Sequence, residues 1–114
     1  MSGITTHVLD AALGLPAAGV PVLLEQLGSD ITGAPTAAGT AVTDDDGRCN
    51  SLGPEQPTAG TYRLTFDTAA YFTATGQTGF YPTVSVTFTL TDPARHYHVP
   101  VLLSPFAYST YRGS

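Results

Sequence analysis

The 114-residue chain contains no lysine. Its cations are four arginines, Arg48, Arg63, Arg95 and Arg112, and nine acidic residues leave a formal net charge of −5 at pH 7. Nucleic-acid binding needs clustered basic residues that displace counterions. Attachment to an anionic membrane surface needs a similar cluster. Neither partner is expected. Only 11% of the residues are charged, against about a quarter in an ordinary soluble chain. Abundant threonine and serine, and coverage by other subunits, would both account for that. The single cysteine, Cys49, excludes an internal disulfide. It reads as a small buried or half-buried thiol in a reducing compartment, and a cytoplasmic location is expected. No apolar run approaches the ~20 residues needed to span a bilayer. The opening MSGITTHVLD lacks the basic and long apolar regions of a signal peptide, and the closing Gly-Ser pair is not a Ser-Lys-Leu signal.

What the chain does have is period two. The length argues for one domain over residues 1–114. Residues 3–11 alternate weakly, with Ile4, Thr6 and Val8 on one side and Thr5, His7 and Leu9 on the other. Gly14, Pro16 and Gly19 punctuate a turn. Residues 20–27 are apolar, 28–39 read as a polar loop, and 40–43 as a short strand stopped by Asp44, Asp45, Asp46 and Gly47. Residues 48–52 read as a short strand and 53–60 as a loop. Tyr62, Leu64 and Phe66 alternate with Thr61, Arg63 and Thr65. Residues 68–75 are the one credible helix. Residues 83–91 are the clearest strand, with Val84, Val86, Phe88 and Leu90 inward. Strands over 96–103 and 107–112 close the chain. Seven or eight short strands at this spacing imply an antiparallel sandwich.

The last nineteen residues, HYHVPVLLSPFAYSTYRGS, carry the richest chemistry. Alternation puts Tyr97, Val99, Val101 and Leu103 on a core face and His96, His98, Pro100 and Leu102 on the other. Imidazoles mixed with apolar residues suit a wall covered by another subunit. Pro100 lacks an N–H, so its nitrogen must face away from a paired strand or mark an irregularity. If the first strand is a neighbour, His7 and His98 line one surface. His96, beside Arg95, best fits an ordinary surface imidazole outside the site. A metal at HYH is disfavoured, because no cysteine or carboxylate stands near in sequence to complete a shell. Arg48 either pairs with Asp44, Asp45 or Asp46, or serves as a planar, permanently charged donor to carbonyl or anionic oxygens. No G-x-S-x-G elbow is present, which argues against serine acylation at Ser109 or Ser114.

Several stretches resemble the transthyretin-related proteins, and among them the 5-hydroxyisourate hydrolases of urate breakdown. They are THVLDAALGLPAAGVPVLL, TDDDGRC, GTYRLTFDTAAYF and FYPTVSVTFTLTDPARHYHVPVLLSPFAYSTYRGS. The terminal Tyr-Arg-Gly-Ser is the most specific signal, since the hormone-carrying transthyretins lack it and the histidines. The resemblance implies an all-β, eight-stranded transthyretin-like antiparallel sandwich with one short helix. It implies a homotetramer, a dimer of dimers, with sites in the channel between dimers. It places catalysis on His7, Arg48 and His98, and substrate binding on His7, Arg48, Tyr111, Arg112 and Ser114, with Gly113 between them. No metal or organic cofactor is implied. The implied reaction is the opening of 5-hydroxyisourate by water to 2-oxo-4-hydroxy-4-carboxy-5-ureidoimidazoline. The residues also leave open a non-catalytic carrier of a small aromatic ligand and a structural β-sandwich module.

Overall fold

The computed structural model describes residues 2–28 and 34–114. Its strands are β1 (Ile4–Asp10), β2 (Leu15–Pro16), β3 (Pro21–Gln26), β4 (Thr36–Val42), β5 (Arg48–Cys49), β6 (Gly60–Phe66), β7 (Val84–Leu90), β8 (Tyr97–Ser104) and β9 (Ala107–Thr110), with one helix, α1 (Thr68–Ala74), between β6 and β7. They form two sheets. One runs β2-β1-β8-β9, with β5 also paired to β1; the other runs β4-β3-β6-β7. Two of the nine segments, β2 and β5, are only two residues long.

The core fills the space between the sheets because each strand turns alternate apolar residues inward. Ile4, Val8, Val101 and Leu103 of one sheet meet Leu24, Tyr62, Leu64, Phe66, Val84 and Leu90 of the other, and all are buried. Burying one such side chain stabilises the fold by about 1.5–3 kcal/mol. The helix starts at Asp67, whose carboxylate accepts from the Ala70 N–H at 3.0 Å, and it buries Tyr71 and Phe72. Asp10, buried at the end of β1, ties the helix to the sheet. Its carboxylate accepts from the Tyr71 hydroxyl at 2.6 Å, from Gln77 Nε2 at 3.1 Å and from the Ala12 and Leu13 amides.

Departures from the expected sandwich include a parallel strand pair and an earlier start of β4. The β1–β8 pair is parallel, with Thr5 opposite His98 and His7 opposite Pro100. The two strands lie far apart in sequence and need no hairpin, so either direction is open to them. Strand β4 begins at Thr36, inside the expected loop; the rest of that loop includes residues 29–33, which lie outside the described residues. No helix among the described residues is long and apolar enough to cross a membrane.

Candidate active site

The site begins at the acidic turn. Asp44 folds it by accepting the Asp46 and Arg48 amides on Oδ1, both at 2.9 Å. Gly47 follows at φ +78°, a conformation that favours glycine, and a Cβ there would collide with the Val8 carbonyl. The turn can therefore press against β1, where the Val8 amide donates to the Gly47 carbonyl at 2.7 Å. This contact sets Arg48 directly opposite His7. It also brings the Asp46 carbonyl within 2.8 Å of His7 Nε2. A carbonyl only accepts, so His7 Nε2 carries the hydrogen and the lone pair of the neutral ring is on Nδ1.

His98 is held from two sides. On the β1 side, Thr5 Oγ1 lies 2.8 Å from His98 Nδ1. On the other side the chain end returns to β8. The β8–β9 ladder pairs Val101 with Thr110, breaks at Pro100, and resumes as a bridge between His98 and Gly113 in the same register. The break has a covalent cause. Odd-numbered residues of β8 turn their backbone groups to β1, as the Tyr97 amide does to the Gly3 carbonyl. Pro100 therefore faces the tail and has no N–H to give. Beyond the break, the Gly113 amide donates to the His98 carbonyl at 2.9 Å. A Cβ at position 113 would lie 2.6 Å from His98 Cδ2, so only glycine lets the tail pass this close. With Nδ1 on Thr5 and Cδ2 under Gly113, Nε2 is the nitrogen left to act.

Register puts His7, Thr5, His98 and Arg48 on one face of the sheet. Burial pushes the His98 imidazole below its ordinary 6.5, and the charges of Arg48, His7 and His96 push it the same way. His98 is thus kept neutral near pH 7, as a proton acceptor must be. Arg48 is exposed and has no ion pair with Asp44, Asp45 or Asp46; the ion pair among the described residues is Arg63–Glu25. Cys49 is 3% exposed, and burial with Asp44 nearby raises its thiol to about 11, so it is no nucleophile.

Three placements add to what the sequence suggests. Arg112, expected to bind substrate, lies opposite Val99 in the continued register and lines one cavity of about 260 Å³ with His98 and Tyr111. Its guanidinium sits 4.9 Å from the centroid of the Tyr97 ring, where it anchors the tail. His96 is not isolated: its Nε2 lies 2.9 Å from the same Thr5 hydroxyl that holds His98, and the two imidazoles stack at 6.5 Å. Thr5 itself is not among the expected site residues. Its signal lies in the alternation, which sets it on the His7 face, but its partners emerge only from the parallel β1–β8 register. Tyr111 and Ser114 are exposed at the tail. A groove of about 650 Å³ lies elsewhere, over Leu23, Val42, Thr65 and Pro82, and no histidine or arginine lines it. Volume and chemistry part here, and the chemistry marks the site.

The profile of the HIUase/Transthyretin family matches residues 4–113. The chain belongs to the HIUase/Transthyretin family. Within the family it is 48% identical to a 5-hydroxyisourate hydrolase of Mus musculus, over 99% of this chain and 96% of that one. The solved structure of Klebsiella pneumoniae 5-hydroxyisourate hydrolase matches with a TM-score of 0.84 at 34% identity, covering 97% of this chain and 98% of that one. Sea bream transthyretin, solved in complex with thyroxine, matches with a TM-score of 0.87 at 38% identity, covering 97% and 94%. The sandwich is therefore common to relatives named as enzymes and to a relative solved with thyroxine, and the site has to separate them.

Proposed function

We propose that this chain hydrolyses 5-hydroxyisourate to 2-oxo-4-hydroxy-4-carboxy-5-ureidoimidazoline, a step of urate degradation. The observation that carries the reading is the convergence of His7, His98 and Arg48 on one face, each imidazole keeping one ring nitrogen without a partner among the described residues. Opening a cyclic amide needs an activated water, a donor for the oxyanion and a proton for the leaving nitrogen. The water oxygen bonds to the carbonyl carbon and its proton passes to an imidazole. Arg48 holds the developing oxyanion. The C–N bond then breaks, and the leaving nitrogen takes a proton from the histidine pair. Imidazole suits both transfers because it titrates near working pH. All groups come from the chain, and the step uses no metal or organic cofactor. Tyr111 and Ser114 close over the substrate, and Arg112 fixes the tail that carries them.

In this reading the His7–His98 face is completed by a second dimer in a homotetramer. Leu13 and Leu15, 50% and 49% exposed, and the exposed Phe106 and Tyr108 supply apolar surface for assembly. A second reading, a carrier of a small aromatic ligand, draws on the likeness to the thyroxine complex. A carrier has no need of two imidazoles held with one nitrogen each turned outward. The test is to generate 5-hydroxyisourate freshly from urate and follow its ultraviolet decay. A decay accelerated in proportion to protein concentration supports the enzyme; the spontaneous rate overturns it.

A further inference from the structure

We infer that His96, acting through Thr5, fixes which ring nitrogen His98 turns toward the substrate. The inference rests on the hydrolase reading for its consequence and on the hydrogen bonds for its substance. Thr5 Oγ1 lies 2.9 Å from His96 Nε2 and 2.8 Å from His98 Nδ1. Thr5 is 2% exposed, so its hydroxyl has little water to fall back on. The two rings are nearly parallel, 20° apart.

A hydroxyl has one hydrogen to give. Suppose it goes to His96 Nε2. The bond to His98 then exists only if His98 Nδ1–H donates to Oγ1, which leaves the His98 lone pair on Nε2. Suppose instead it goes to His98 Nδ1. The neutral His98 then carries its hydrogen on Nε2, and its lone pair is tied up against Thr5. The order of the chain decides whether His98 can take a proton from water.

Only the first order is ready for the reaction. When Nε2 gains a proton, Nδ1–H still donates to Thr5 and Thr5 still donates to His96, so no hydrogen has to rearrange. The second order would need the hydroxyl to turn over first. The first order also requires a His96 that can accept at Nε2. A protonated His96 has two donors and no acceptor. It would give its hydrogen to Oγ1 and free the threonine hydrogen to go to His98 Nδ1. His96 and Thr5 are thus positioning residues for His98. The groups around the pair are His7 on β1 and Arg48 on β5 toward His98, and Glu55 and Arg95 beside His96 in a shallow surface depression; Arg112 stacks on Tyr97 and lines one cavity with His98.

The chain has three histidines, so side-chain ¹⁵N spectra can be assigned by single substitutions. The wild type at pH 8 is expected to show His98 protonated on Nδ1 and bare on Nε2, and Thr5→Ser, which keeps the hydroxyl, to show the same. His96→Phe keeps the ring stack but not the acceptor, and Thr5→Val keeps the shape but not the hydroxyl. Both are expected to move the hydrogen to His98 Nε2. Their kcat should fall about 10–100-fold, the scale on which losing the hydrogen-bond partner of a metal-bound imidazole costs activity, with KM nearly unchanged. His96 is exposed, so its substitution leaves the core alone. A wild-type His98 protonated on Nε2, or His98 signals unmoved in His96→Phe, would overturn the inference. If the spectra follow the expected pattern while the wild type does not open 5-hydroxyisourate, the relay stands and the hydrolase reading falls.

Discussion

Gly113 lies flat against His98: its amide donates to the His98 carbonyl at 2.9 Å, and a Cβ would sit 2.6 Å from the ring's Cδ2. The third residue of the terminal Tyr-Arg-Gly-Ser is therefore a wall of the site, and its lack of a side chain is the reason the wall can be there. Gly113→Ala should push the tail off β8 before it disturbs the core, since Tyr111, Arg112 and Ser114 around it are exposed. Overpacking typically destabilises by about 1–3 kcal/mol where the structure cannot yield; here it can, so Tm should move little while kcat/KM falls. Thermal melts and turnover of the one variant check both halves. A normal kcat/KM would show that the contact is idle.

Arg48→Gln should act on His98 at a distance. The Arg48 charge helps to hold the His98 imidazole below its ordinary range. Removing it raises that pKa, so the acid limb of the pH–rate profile moves to higher pH. Arg48→Lys keeps the charge and should leave the limb in place, yet it loses the planar two-pronged donor and should weaken turnover. Neither change should shift Tm much, because Arg48 makes no ion pair with the acidic turn and exposed substitutions usually stay within about 0.5 kcal/mol.

Much of this is legible in the order of the amino acids alone. The alternation of Val84, Val86, Phe88 and Leu90, and of Tyr97, Val99, Val101 and Leu103, is strong because each strand has one buried face, and the structure keeps both faces. A short run of helix-compatible residues after Asp67 marks α1. The start of β4 is not legible, because Thr36, Ala37, Ala38 and Gly39 are small and show no contrast between faces. The direction of β1 against β8 is not legible either, because nothing local sets it. That one non-local fact brings Thr5 to His98, and with it His96. Likewise the contact of Arg112 with the Tyr97 ring follows from its position in the continued ladder, which no local pattern reveals.

Acid should weaken the fold in two windows. His98 has a lowered pKa in the folded chain, so its contribution is present above the ordinary imidazole range near 6.5 and is lost as the pH falls toward the folded value. For Asp10, burial opposes ionisation, but the bonds from Tyr71, Leu13, Gln77 and Ala12 outweigh it and lower the pKa below 3.8. Its contribution is present above that value and is lost as the pH falls below it. Tyr71→Phe removes one of these donors. It should destabilise the fold by about 1.5–3 kcal/mol at pH 7, as expected for a hydrogen bond to a charged group. It should also flatten the dependence below pH 4, as denaturant melts at several pH values would show.

Gly47→Ala should be the most damaging single-atom change near the site. It forces a left-handed backbone onto alanine and drives a Cβ into the Val8 carbonyl. The turn would lift from β1, taking Arg48 away from His7 and the Asp46 carbonyl away from Nε2. Loss of activity together with a drop in Tm is expected, in contrast to Gly113→Ala.

The central claim is that His7 and His98 move the protons of ring opening. The most direct measurement is the decay of freshly made 5-hydroxyisourate with wild type, His7→Ala and His98→Ala at equal concentration. A positioned acid or base contributes about 10²–10⁴-fold, so each variant should lose turnover on that scale while its circular dichroism and assembly stay those of the wild type. A wild-type rate in either folded variant would contradict the role given to that histidine.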